Sequence, residues 1–213
     1  MSSFKTDRLL GVWSARGVFG LGIAYLVTLL VAFASAGTFS APLADPYLAV
    51  LECEILLMAP LLVVLFAAIH LGPGRGRVAT LAALGFIALC AGTTSIVHVV
   101  LLTAGHQQWL APSDHLPLAR PWDWPSIPYA VDIVAWDLFL GLALLFGATA
   151  FSGGKLERTV RTGMLLAGAL CVAGLIGPFV GDLRFRWVGI FGYAVIFPAV
   201  CFLLARFFTK AEW

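Results

Sequence analysis

The chain has 213 residues, of which 61% are hydrophobic and only 11% charged, and its mean hydropathy is +0.99. Soluble domains run near 45–50% apolar and about 25% charged, and a soluble fold of this size could not hide so much apolar surface from water. The net charge of +2 is too small to suggest nucleic acid as a partner, and there is no basic stripe.

Six apolar stretches are long enough to cross a hydrocarbon layer about 30 Å thick, which takes about 20 helical residues. They lie near 17–37, 47–70, 78–104, 128–151, 162–181 and 187–208. In lipid a run must satisfy its own backbone hydrogen bonds, and none of these has the polar alternation of a barrel strand. The expected fold is all-α: a polytopic six-helix bundle forming one integral membrane domain, with the lipid bilayer as its first partner.

The first stretch follows a basic start and ends on Ala34-Ser35-Ala36, a pattern that also fits a cleaved signal. It is long for a signal peptide, and cleavage would leave five spans, so retention is expected. Loops are short except for residues 105–127, a 23-residue segment between the third and fourth helices. Its Trp109, Trp122 and Trp124 suit the headgroup level, as either a lid or a plain interfacial loop. Pro60, Pro178 and Pro198 fall inside helices and predict kinks. Gly177 and Gly181 make one G-x-x-x-G. The two halves show no evident repeat.

Charge sets the orientation. With the N-terminus inside, the cytoplasmic segments hold Lys5, Arg8, Arg16, Arg75, Arg77, Lys155, Arg158, Arg161, Arg206 and Lys210, against Arg120, Arg184 and Arg186 outside. Ten against three predicts both termini in the cytoplasm, N-in and C-in. Arg184 and Arg186 are the local dissent, in a turn where Asp182 can pair with them.

Ionisable residues inside spans are costly and mark candidate sites. Glu52 and Glu54 lie near the outer end of the second helix, His98 near the outer end of the third, and Asp132 and Asp137 near the outer start of the fourth. Chain direction brings all five to similar depth. Glu52 and Glu54 are about 200° apart around a helix, and Asp132 and Asp137 about 140°, so one Glu and one Asp at most point at a common centre. Asp137 is the deepest and ranks first. Glu54 follows by depth, with His98 as its partner. Thr94 and Ser95 share the face of His98. Against this stand two plainer readings: Glu52 and Asp132 as water-facing interfacial groups, and Asp137 with His98 as a structural pair.

No metal or cofactor is expected. His98, His106, His115 and the acids could assemble a site, since imidazole and carboxylate suit several divalent ions, but no ligand spacing supports one, and His70 and His98 sit at opposite faces of the membrane, unsuited to share a haem. Cys53, Cys90, Cys171 and Cys201 each lie in an apolar run without a C-x-x-C spacing and read as packing residues.

The layout resembles a known group. A Glu early in the second helix (Ala49-Val50-Leu51-Glu52-Cys53-Glu54-Ile55-Leu56), the run Phe139-Leu140-Gly141-Leu142-Ala143-Leu144-Leu145-Phe146, and the passage Gly153-Gly154-Lys155-Leu156-Glu157-Arg158 into a glycine-rich helix from Gly163 to Gly177 look like the uncharacterised bacterial six-span membrane proteins grouped under a domain of unknown function. The resemblance implies a bacterial inner-membrane location and transfers no site residue.

Three functions fit these residues. The first is an acidic, outward-facing pocket between helices two, three and four, binding or transporting a proton, a cation or a small amine. The second is an intramembrane enzyme that acts on a lipid by acid–base chemistry. The third is an accessory protein whose polar groups lock helices together. A lipid ligand and a homo-oligomer are compatible with the chain.

Overall fold

The structure, a computed structural model, describes residues 2–37, 43, 45–72, 77–105 and 124–210. Among these residues there is helix and no strand. Six helices are long and apolar enough to cross a membrane: α1 (Lys5–Ala36), α2 (Tyr47–Leu71), α3 (Arg77–Thr103), α4 (Ile127–Ala150), α5 (Lys155–Val180) and α6 (Leu183–Lys210).

The helices extend furthest beyond the predicted apolar runs at two places. The first is already helical from Ser2 rather than from 17, and α5 starts at Lys155 rather than 162. In both cases the added turns carry Lys, Arg and Leu, which favour helix, and their charged groups project into water. Glu157 fixes the start of α5 by accepting hydrogen bonds from the backbone N–H of Ser152 and Gly153. Lys5, Arg8, Lys155, Arg158 and Arg161, counted as loop charge, thus lie on helix ends.

Pairings along the helices give the order of packing. Thr28 meets Glu54 and Ser35 meets Tyr47, so α1 and α2 run antiparallel. His70 meets Thr80 and Glu52 meets His98 across α2 and α3. Phe86 stacks on Phe146 across α3 and α4. The fourth and fifth helices touch where a Cβ on Gly168 would stand 2.8 Å from the Gly141 carbonyl oxygen, an approach only glycine permits. Gly174 faces Gly189 across α5 and α6, and Phe19 packs on Phe202 across α1 and α6. The spans therefore form a closed antiparallel ring, with the start of α1 and the end of α6 at one end.

That end of the ring is filled. Leu62, Leu65, Phe66, Ile87, Leu144, Met164, Leu204 and Phe208 are fully buried there, without a charged group among them. Apolar side chains also cover the outside, with Leu57, Val78, Ile96 and Phe179 well exposed, as lipid contact allows.

Two of the three in-helix prolines stand beside an interruption of their helix, whereas α2 runs unbroken through Pro60. In α5 the helix is interrupted between Gly174 and Ile176, before Pro178, and it ends on Gly181 in the left-handed conformation at φ 73°. In α6 a π turn, Gly192–Ile196, precedes Pro198, whose ring nitrogen has no N–H to offer the carbonyl of Ala194. Two further π-helical stretches, Leu101–Gly105 in the third helical span and Val134–Leu140 in α4, lie towards the end of the ring opposite the termini.

Candidate functional site

Alternating chain direction brings the start of α2, the end of α3 and the starts of α4 and α6 to one end of the ring. There, five ionisable side chains are buried together: Glu52, His98, Asp132, Asp137 and Arg186, with exposures of 2%, 1%, 5%, 0% and 5%. They form a connected row. His98 Nδ1 contacts Glu52 Oε2, and its Nε2 lies 3.4 Å from Asp132 Oδ1. Both ring nitrogens thus face carboxylates, and both can donate only when the imidazole is protonated. The other oxygen of Asp132 is 3.5 Å from Arg186 Nη2, and Arg186 Nε–H donates to Asp137 Oδ2 at 3.4 Å. The Arg186 guanidinium also lies over the Tyr129 ring, 4.7 Å from its centre, a favourable position for a cation. Acid and base alternate along the row.

Hydroxyl and indole groups support it. Thr94 Oγ1 donates to Asp132 Oδ1 at 3.4 Å and accepts from Trp136 Nε1–H at 3.1 Å. Trp136 in turn packs on Tyr193, with ring centres 5.5 Å apart. Thr94 is therefore tied to α4 through both of its hydroxyl roles. Ser95 is half-buried and stays out of the row.

The structure departs from the sequence expectation in four respects. Glu52 and Asp132, not Glu54 or Asp137, partner His98. Glu52 and Glu54 are about 200° apart on α2, and Glu54 points the other way, accepting a hydrogen bond from Thr28 of α1 at 3.1 Å. Glu52 and Asp132 are buried, not interfacial. Asp132 and Asp137 also share one partner, although an α-helix would set them 140° apart. The cause is the π-helical segment Val134–Leu140. In a π-helix one turn closes at i→i+5, so residues five apart come back towards one face.

The fourth departure is Arg186. The turn at Asp182 holds Arg184 alone. Arg184 Nη2 and Nε bond the Asp182 carboxylate at 2.6 and 2.9 Å, and that guanidinium holds the exposed Asp182 carboxyl below the usual carboxylate range. Arg184 and Arg186 are two residues apart in a tight helical turn, so they leave it on opposite sides. Two signals in the sequence pointed to this: that spacing, and the need of several buried carboxylates for a cation. Arg186 thus lies inside the bundle, and Arg184 is the exposed member of the pair that the charge bias left as local dissent.

Asp137 sits where two glycines make room. A Cβ on Gly189 would stand 2.6 Å from Asp137 Oδ1, and one on Gly174 would stand 3.2 Å from its Cγ. Asp137 Oδ1 and Arg186 Nη2 have no hydrogen-bond partner among the described residues.

A cavity of about 410 Å³ opens beside the row. Its polar wall is Tyr25, Glu52, His98, Tyr129, Asp132 and Arg186. It is framed by α1, α2 and α6 more than by the three helices expected from sequence. Trp187 and the exposed Arg184 lie on its rim, at the end away from the chain termini. The volume falls in the range of about 300–1,000 Å³ usual for small-molecule sites. Trp124 reaches the same rim and meets Tyr129 edge-on. His106, His115, Trp109 and Trp122 of the long loop lie outside the described residues, as does the question of a lid.

No family model, no curated protein and no solved structure matches this chain.

Arg186 and Arg184 should therefore behave differently under the same substitution. Arg186→Gln leaves Asp132 and Asp137 buried without their cation, a loss of about 3–5 kcal/mol for one partner of a buried pair. Arg184→Gln should fall within roughly 0.5 kcal/mol of the parent, as exposed substitutions do. Thermal unfolding in detergent measures both, and equal effects would mean that Arg186 is not a buried partner.

Proposed function

We propose that this chain is a multi-pass protein of a bacterial inner membrane that binds a small organic cation, an amine, in the cavity beside Glu52 and Asp132. One observation carries the reading: two buried carboxylates from different helices form the wall of a single cavity. The balance of charge favours a cation. The row holds three carboxylates against one guanidinium and one imidazole. Tyr25, Tyr129, Trp136 and Tyr193 add aromatic surface around the same space, and ring faces attract ammonium groups. A proton is the smallest cation such a row can exchange, through His98 between its two carboxylates.

The test uses propylamine on protein reconstituted in nanodiscs, measured by equilibrium dialysis. Asp132→Asn and Glu52→Gln keep shape and lose charge. A hydrogen bond to a charged group is worth about 1.5–3 kcal/mol, so each variant should bind tenfold more weakly or worse. Binding equal to wild type in both variants would reduce the row to a helix lock.

The cytoplasmic placement of both termini belongs to this proposal and rests on the charge bias. In a variant lacking Cys53, Cys90, Cys171 and Cys201, Arg184→Cys at the rim should label from the outside with an impermeant maleimide. Lys155→Cys should label only after permeabilisation. The opposite pattern would turn the cavity mouth to the cytoplasm.

A further inference from the structure

The cavity continues past the charged row towards the filled end of the ring. Below Glu52 it is lined by Ile55 and Met58 of α2, by Val18 and Gly22 of α1, and by Phe197 and Pro198 of α6. None of these carries a polar side-chain group. Met58 lies six residues beyond Glu52 on α2, and Val18 seven beyond Tyr25 on α1. At the helical rise these steps are about 9 and 10 Å. Beneath them the fully buried Leu62 and Phe66 close the bundle. To the side, a Cβ on Gly22 would stand 2.8 Å from Pro198 Cγ, so α1 and α6 touch and shut this floor from lipid. The cavity is thus a blind apolar well with charge on its upper wall.

A compact hydrated cation would fill the charged level and leave the floor without contacts. We propose that the ligand is an amphiphile: an amine whose ammonium group sits against Asp132 on the side that faces Arg186, next to the Glu52–His98 pair, and whose short alkyl tail fills the floor. This rests on the cation reading above and narrows its ligand class. Arg186 supplies the second observation. It lines the cavity at 5% exposure, its Nη2 makes no hydrogen bond among the described residues, and it stands 3.5 Å from Asp132. Charged N–H···O bonds normally close to about 2.7–2.9 Å. The link between Arg186 and Asp132 is therefore loose. An arriving ammonium takes over Asp132 while Arg186 keeps Asp137, so no buried charge loses its counterion. The buried ligand tail contributes roughly a factor of four in affinity per methylene removed from water.

Radiolabelled octylamine is titrated onto the full chain in phosphatidylcholine nanodiscs, with empty nanodiscs subtracted. Octanol, octanoate and propylamine serve as competitors. Octylamine should bind saturably, and octanol and octanoate should compete at least tenfold less well than unlabelled octylamine. Met58→Trp, which fills the floor, should weaken octylamine at least tenfold and leave propylamine binding unchanged. Ile55→Phe gives the same test if Met58→Trp does not fold. Octylamine binding that is insensitive to the filled floor but still competed by propylamine would overturn the amphiphile and leave the cation reading intact. Octanol or octanoate competing as well as octylamine would overturn both.

Discussion

Several carboxylates cannot be carried into an apolar bundle without cations beside them, because an isolated buried charge costs far more than any single packing contact returns. In this protein Arg186 meets most of that demand. It reaches from the first turn of α6 across to Asp132 and Asp137 of α4, and it rests on Tyr129. His98 does the same for Glu52 and the other side of Asp132. Four of the six spans are joined by this row.

The geometry of α4 is set to the same end. A regular helix would aim Asp132 and Asp137 at different neighbours. The π segment between them brings both to one guanidinium, and the glycine pair Gly174 and Gly189 leaves space for the Asp137 carboxylate. Helix irregularity and small residues are thus two parts of one arrangement. Both sit at the end of the ring that holds the cavity, while the other end is packed with Leu, Ile, Met and Phe.

Much of this was legible in the sequence, and the remainder was hidden for identifiable reasons. The all-helical class and the six spans follow from apolar run length, and the described residues include six such helices. The common depth of Glu52, His98, Asp132 and Asp137 follows from chain direction. Which Glu faces His98 was not readable, because Glu52 and Glu54 lie on opposite sides of α2 and depth alone favoured the wrong one. The pairing of Asp132 with Asp137 was hidden by the π segment, since phase counted at 100° per residue fails across it. Arg186 was hidden by its neighbour: Asp182 offered a nearer partner, and only the spacing from Arg184 hinted that one of the two turns inward. Thr94 was placed correctly on the face of His98, whereas Ser95, one residue on, lies 100° away and misses the row.

The account depends on Arg186 and Asp137 being a charge pair that exists because both are buried. A double-mutant cycle in detergent measures this directly, using Arg186→Met, Asp137→Leu and the two together. Each single change strands a buried charge and should cost about 3–5 kcal/mol. Asp132 still faces Arg186 when Asp137 is replaced, so the cost of Asp137→Leu should be the smaller of the two. The double variant removes both charges and should cost clearly less than the sum of the singles, with a coupling of about 1–3 kcal/mol. Strict additivity would contradict the account, because it would mean that the two side chains do not compensate one another inside the bundle.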